Sequence, residues 1–120
     1  MAITYTFETE EDLLRVKSVG TGNDLDEVFD YAKAVITKAI ESNSKKIFID
    51  ETKLSHDLGV LDTVMLAEKT KAAAPRVGRV AILYDKKELK QGDFYETVAS
   101  NRGLIIFVTS DHKKALEWLK

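Results

Sequence analysis

The sequence has no cysteine, one proline, six glycines and only a small excess of negative charge, −2 over 120 residues. Without a thiol there can be no disulfide, no thiolate nucleophile and no Cys-ligated zinc, which fits a reducing compartment. Scarce glycine and proline argue against disorder and fibrous repeats. Near-neutral charge leaves no strong field for nucleic acid or an acidic membrane, so neither is expected as a partner. The longest purely apolar run, Leu104 to Val108, is far below the roughly 20 residues of a membrane span. The start, Met1 to Glu8, alternates apolar and polar residues and turns acidic, unlike a basic-then-apolar secretory leader. A cytoplasmic protein is the expectation.

What remains is a chain that is 44% hydrophobic and 32% charged, enough for one packed core. The sign of the charge changes along it: residues 1–60 are acidic and residues 61–120 mildly basic. That reads as solvated surface rather than a basic patch. With no Pro/Ser/Gly-rich linker, residues 1–120 are read as a single domain.

Ile3, Tyr5 and Phe7 alternate as a half-buried strand does, and Leu14, Val16 and Ser18 continue the alternation after the acidic turn Glu8–Asp12. Leu13 is off-phase. An antiparallel hairpin follows, broken by Gly20-Thr21-Gly22-Asn23-Asp24. Leu25, Val28, Phe29, Ala32, Ile36, Ala39 and Ile40 recur at helical spacing, with Asn23 or Asp24 placed to cap the first turn. Ile47-Phe48-Ile49 reads as a short buried strand. Leu58, Leu61, Met65 and the Ala-rich stretch to Ala74 suggest a second helix stopped by Pro75. Val80–Tyr84 is a further strand. Phe94, Val98 and Ala99 mark a third helix with Gly103 as its left-handed cap. Leu104–Val108 is the fifth strand, and Ser110 and Asp111 open a helix burying Ala115, Leu116 and Leu119 beside Trp118. The order is β-β-α-β-α-β-α-β-α, an α/β fold with a mixed, mostly parallel five-stranded sheet.

Ligands in open α/β sheets gather outside the carboxyl ends of the strands. Three polar loops are expected there: Asp50–Asp57, Asp85–Glu88 and Thr109–His112. Ser55-His56-Asp57 is not a triad, because adjacent side chains diverge; Ser55 or Asp57 reads instead as a helix N-cap. His56 and His112 lack metal-ligand spacing, and no metal or cofactor is expected. Gly20-Thr21-Gly22 lacks the third glycine of a dinucleotide fingerprint and reads as a turn needing positive φ. Arg76, Arg79 and Arg102 read as solvated charge. No carboxylate shows a sequence reason to be buried, so a raised catalytic pKa cannot be argued and acid–base catalysis stays open only by default. No set of nucleophile, base and orienting group assembles, and the chain is read as non-enzymatic.

Ile47-Phe48-Ile49-Asp50, followed by Leu54 and His56-Asp57-Leu58-Gly59-Val60-Leu61, resembles the central segment of the STAS domain. Arg79–Leu83, Asn101-Arg102-Gly103 with Phe107, and Ala115-Leu116-Glu117-Trp118-Leu119 resemble its small SpoIIAA-like branch. The resemblance implies the SpoIIAA-like fold and a regulatory module that binds a protein partner. It places the contact on Asp50, Ser55, His56, Asp57, Leu58 and Gly59, with Leu58 and Val60 exposed. It also implies a phosphate-accepting Ser immediately before the glycine, where this chain has Leu58, with Ser55 the nearest hydroxyl. The alternative is a small-molecule or lipid-binding domain with an apolar ligand between sheet and helices, lined by Phe29, Tyr84, Phe94, Tyr95 and Trp118. Tyr5, Phe7 and the first hairpin leave a homodimer open through edge pairing.

Overall fold

The computed structural model describes residues 2–22, 24–56 and 58–120. Its strands are β1 (Thr4–Glu10), β2 (Leu13–Gly22), β3 (Lys46–His56), β4 (Arg79–Leu83) and β5 (Ile105–Thr109). Its helices are α1 (Leu25–Glu41), α2 (Val60–Thr70), α3 (Leu89–Ser100) and α4 (His112–Leu119), in the expected order. The sheet runs β1-β2-β3-β4-β5, with β1 antiparallel to β2 and every other pair parallel.

Strand order that advances in one direction, joined by right-handed crossovers, puts the connecting helices on one face. The inner face accordingly carries Leu14, Val16, Ile47, Ile49, Val80, Ile82 and Val108 against Tyr31, Val35 and Ala39 of α1. The other face carries Phe48, Ala81 and Leu83 against Ala115 and Leu119 of α4. Leu13 packs with this second cluster. Its phase, odd for a one-faced strand, is correct for a sheet covered on both sides.

Local chemistry explains most boundaries. Asp24 caps α1, its side chain accepting from the Glu27 backbone N–H at 2.9 Å, and Asp111 caps α4 by accepting from Lys114 N–H at 3.2 Å. Gly103 ends the α3 region at φ +95°, as expected of a left-handed cap. The hairpin turn is tighter than the acidic run suggested, because β1 persists to Glu10 and Glu11 takes φ +55°. Gly20 has the expected positive φ, +114°, but lies within β2. Asn23, the other proposed cap of α1, lies outside the described residues.

Two segments depart from the sequence reading. In α1 the buried line is Val28, Tyr31, Val35 and Ala39, about one residue off the expected stripe. In α2 the buried residues are Thr63, Leu66, Ala67 and Thr70, while Leu61 and Met65 face solvent. Helix α2 starts at Val60 with Gly59 as N-cap, and Pro75 sits inside a following 3-10 turn, Lys71–Arg76.

Arg79 is not the solvated charge its position suggested. Its guanidinium donates to the carbonyls of Trp118, Leu119 and Lys120 at 3.1, 2.9 and 2.9 Å. It also lies 6 Å or less from the Trp118 ring centroid, at 5.9 Å. A cation on the free carbonyls of a helix C-terminus is favoured by the helix dipole. Arg79→Ala should therefore lower stability by about 2 kcal/mol, whereas Arg76→Ala, at an exposed position, should stay within about 0.5 kcal/mol. Urea midpoints of the two variants measure the difference.

Candidate functional site

Strand β3 is the longest of the sheet because β2 accompanies it. Beyond Asp50, where β4 stops pairing, the register with β2 continues from Val19↔Lys53 to Gly22↔His56. Between Lys17↔Asp50 and Val19↔Lys53, β3 carries one extra residue, a β-bulge. Asp50 braces the bulge, its Oδ1 accepting from Thr52 N–H at 3.0 Å and from the Thr52 hydroxyl at 2.7 Å. The bulge changes which residues face inward: Ile47 and Ile49 before it, Glu51 at its first position, then Leu54 rather than Lys53.

Glu51 is therefore driven into the interior, with 7% of its surface exposed. The sequence showed no reason to bury a carboxylate, yet the alternation that buries Ile47 and Ile49 carries on to position 51. The Tyr31 hydroxyl lies 2.9 Å from Glu51 Oε2 and 2.9 Å from Ser18 Oγ. A phenol has one proton, so Tyr31 donates to the carboxylate and accepts from Ser18. The Ser18 hydroxyl also approaches the Asp50 carbonyl at 3.4 Å.

Burial pushes the Glu51 carboxyl up from its ordinary 4.5 to about 7; the Tyr31 hydrogen bond pulls the other way and the Asp50 charge adds to the rise. Burial likewise raises the phenols of Tyr31 and Tyr84 well above their usual range and that of Tyr95 to about 12. All three stay neutral hydrogen-bonding groups at physiological pH.

These groups border a cavity of about 100 Å³ between the inner sheet face and α1, α2 and α3. Its wall is mostly apolar, including Val35, Ile49, Leu66 and Ile82, with Glu51 as its carboxyl. Gly92 lets α3 come this close to the sheet, since a Cβ there would press on Tyr84 and Val108. Of the aromatic residues expected around an apolar ligand, Tyr84 and Tyr95 line the cavity. Phe29 packs beside Val28, Leu58 and Leu66, and Trp118 stacks on Phe107 under α4 on the opposite face. Phe94 is not among the lining residues.

The residues expected to form the contact site do not converge. Asp50 projects to the opposite sheet face from Glu51, by strand alternation. Ser55 lies within β3, its hydroxyl 3.4 Å from that of Thr21, and is not a helix cap. His56 closes β3 opposite Gly22, and Asp57 lies outside the described residues. Leu58, expected to be exposed, is buried against Val28 and Leu66. Gly59 is open and forms the N-cap of α2 without a side-chain bond. At the strand rim, Thr52–Ser55 and Asp85–Glu88, from two of the three loops expected there, border an open groove of about 230 Å³. Strand order never reverses, so the groove does not sit at a topological switch point. Among the described residues no three His, Asp or Glu side chains gather to hold a metal ion.

No protein-family model and no curated protein matches the sequence. Solved structures do match in fold. One is an uncharacterised protein of the DUF3478 family from Shewanella loihica with a SpoIIAA-like fold, at 20% identity and TM-score 0.58 over 99% of this chain and 94% of that one. Another is the anti-sigma factor antagonist SpoIIAA in its unphosphorylated form, at 14% identity and TM-score 0.58, covering 96% and 95%. The Bacillus cell fate determinant SpoIIAA in its phosphorylated form matches at 12% identity and TM-score 0.52, covering 98% and 100%. The chain has a SpoIIAA-like fold.

The raised Glu51 pKa sets a pH dependence of stability. A carboxyl that holds its proton more tightly in the folded state stabilises the fold below its unfolded value of 4.5, and this contribution is lost as pH rises through about 7. The loss amounts to about 3 kcal/mol. Glu51→Gln should remove it, so chemical denaturation at pH 4.5 and pH 8 should show a smaller fall in stability for the variant than for the parent.

Proposed function

We propose that this chain is a non-enzymatic regulatory module of the STAS type, one domain working in the cytoplasm by binding a protein partner at the start of α2. The observation that carries the reading is an exposed apolar strip: Val60 is 69% exposed, Leu61 71% and Met65 42%. Leu61 and Met65 are one helical turn apart and share a face. Large apolar side chains left in water on a small domain mark contact surfaces, and covering them is worth about 25 cal/mol per Å². Gly59 immediately precedes the strip, and Ser55, His56 and Asp57 come shortly before it in sequence. Asp50 contributes from behind by bracing the bulge, and Leu58 by anchoring the loop in the core.

The fold supports the regulatory class, since one solved match is an anti-sigma factor antagonist. Leu58, a buried side chain, stands immediately before Gly59. Partner binding here is accordingly not gated by a phosphorylated Ser at that place. A homodimer would form along the edge of β1, which pairs within the sheet only with β2. No helix among the described residues is long and apolar enough to cross a membrane.

A second reading, an apolar small-molecule or lipid binder, is favoured by the cavity holding Glu51.

The partner reading is tested by affinity capture from the source organism, followed by binding measurements with the purified captured protein. Leu61→Asp combined with Met65→Asp should weaken that binding at least tenfold and leave the circular dichroism spectrum unchanged, because both sites are solvent-exposed. Equal affinity of parent and variant would remove α2 as the contact surface.

A further inference from the structure

We infer that the cavity beneath α1, α2 and α3 binds a compact apolar molecule carrying one protonated nitrogen, with the Glu51 carboxylate as its counter-ion. The inference rests on the second reading, that the cavity takes a ligand, and adds the ligand's chemical class.

Size comes first. A cavity of about 100 Å³ is about two-thirds of the ~150 Å³ engineered void that accepts benzene, so it suits roughly four non-hydrogen atoms. A long acyl chain does not fit. The mostly apolar wall selects a branched or cyclic hydrocarbon body.

Charge comes second. A buried carboxylate normally has a cation beside it. The ion pairs of the described residues join Arg15 to Glu10 and both Lys71 and Arg102 to Glu68, all away from Glu51. Tyr31, a neutral phenol, is the hydrogen-bond partner of Glu51 among the described residues. Among the described residues, the titratable groups around Glu51 are Tyr31 from α1, Tyr84 at the end of β4, Tyr95 from α3 and its own neighbour Asp50. None of these is a cation, and the polar groups that α2 brings to the lining are the hydroxyls of Thr63 and Thr70. A ligand ammonium supplies the missing charge. A ligand carboxylate would place two like charges together, and a neutral ligand would meet the carboxyl protonated and gain no ion pair.

Geometry comes third. The braced bulge fixes the backbone of Glu51, and the Ser18–Tyr31 pair holds Oε2. The carboxyl is therefore oriented before a ligand arrives, which lowers the cost of binding. Thr63, Leu66 and Thr70 line the cavity from the side of α2 opposite Leu61 and Met65. Ligand and partner thus engage separate faces of one helix.

The test uses three four-atom probes of similar shape, propan-2-amine, propan-2-ol and acetate, titrated into the full chain. Saturable backbone amide shifts at Val35, Ile49 and Ile82 report occupancy. At pH 8 the amine should bind at least tenfold more tightly than the alcohol, and the carboxylate should give no saturable shift. At pH 5.5, where Glu51 is protonated, the amine's advantage should shrink several-fold. In Glu51→Gln the amine and alcohol should bind equally, with alcohol binding retained as proof of an intact cavity; should that variant not fold, the pH comparison on the parent chain stands alone. Equal binding of amine and alcohol at pH 8, or preference for the carboxylate, would overturn the ammonium assignment while leaving a ligand-binding cavity. No saturable shift with any probe would overturn both.

Discussion

The carboxyl of Glu51, forced inward by the pleat of β3, is the constraint around which the inner half of this molecule is arranged. A strand whose residues 47 and 49 are buried must also bury residue 51 unless it ends or bulges first, and the bulge comes one step too late. The fold answers with Tyr31 and Ser18, which satisfy one carboxylate oxygen, and with a small cavity rather than tight packing around the group. A well-packed apolar residue at this position would be the simpler way to a stable core. That a carboxyl stands there instead is the main physical reason to look for function under the helices rather than on the strand rim.

Helix α2 links this interior to the surface. Its inner side borders the cavity, its outer side presents Leu61 and Met65 to solvent, and its N-cap has no side-chain bond. Its start is held by the buried Leu58 and by Thr63, whose hydroxyl donates to the Gly59 carbonyl at 2.9 Å. A ligand that presses on Leu66 and a partner that covers Leu61 would act on one short element, which is the physical arrangement a regulatory module needs.

The sequence made the architecture legible where the signal was local. Asp24 and Asp111 cap their helices as their positions suggest, Gly103 takes the left-handed cap, and Ala115, Leu116 and Leu119 face the sheet. The candidate site was less legible because its causes are non-local. Leu54 is inward only because β3 carries an extra residue against β2, a matter of pairing that no single strand reveals. From sequence β3 read as Ile47-Phe48-Ile49 alone, and Glu51 read as part of the loop Asp50–Asp57. In α1 the apolar stripe is broad enough that Ala32 and Ile36 drew attention from Tyr31. In α2 hydropathy favoured Leu61 and Met65 over Thr63 and Thr70. The threonines are buried because their hydroxyls bond the helix's own carbonyls, Thr63 to Gly59 at 2.9 Å and Thr70 to Leu66 at 3.0 Å, leaving only a methyl to face the core.

The most direct test of this account is a pH titration of the Glu51 side-chain carboxyl by carbon-13 NMR in the unliganded protein. A midpoint near 7 is the predicted result, as burial against an apolar cavity requires. A midpoint at the ordinary carboxyl value of 4.5 would mean that the group is solvated, and would contradict the buried site on which the account rests.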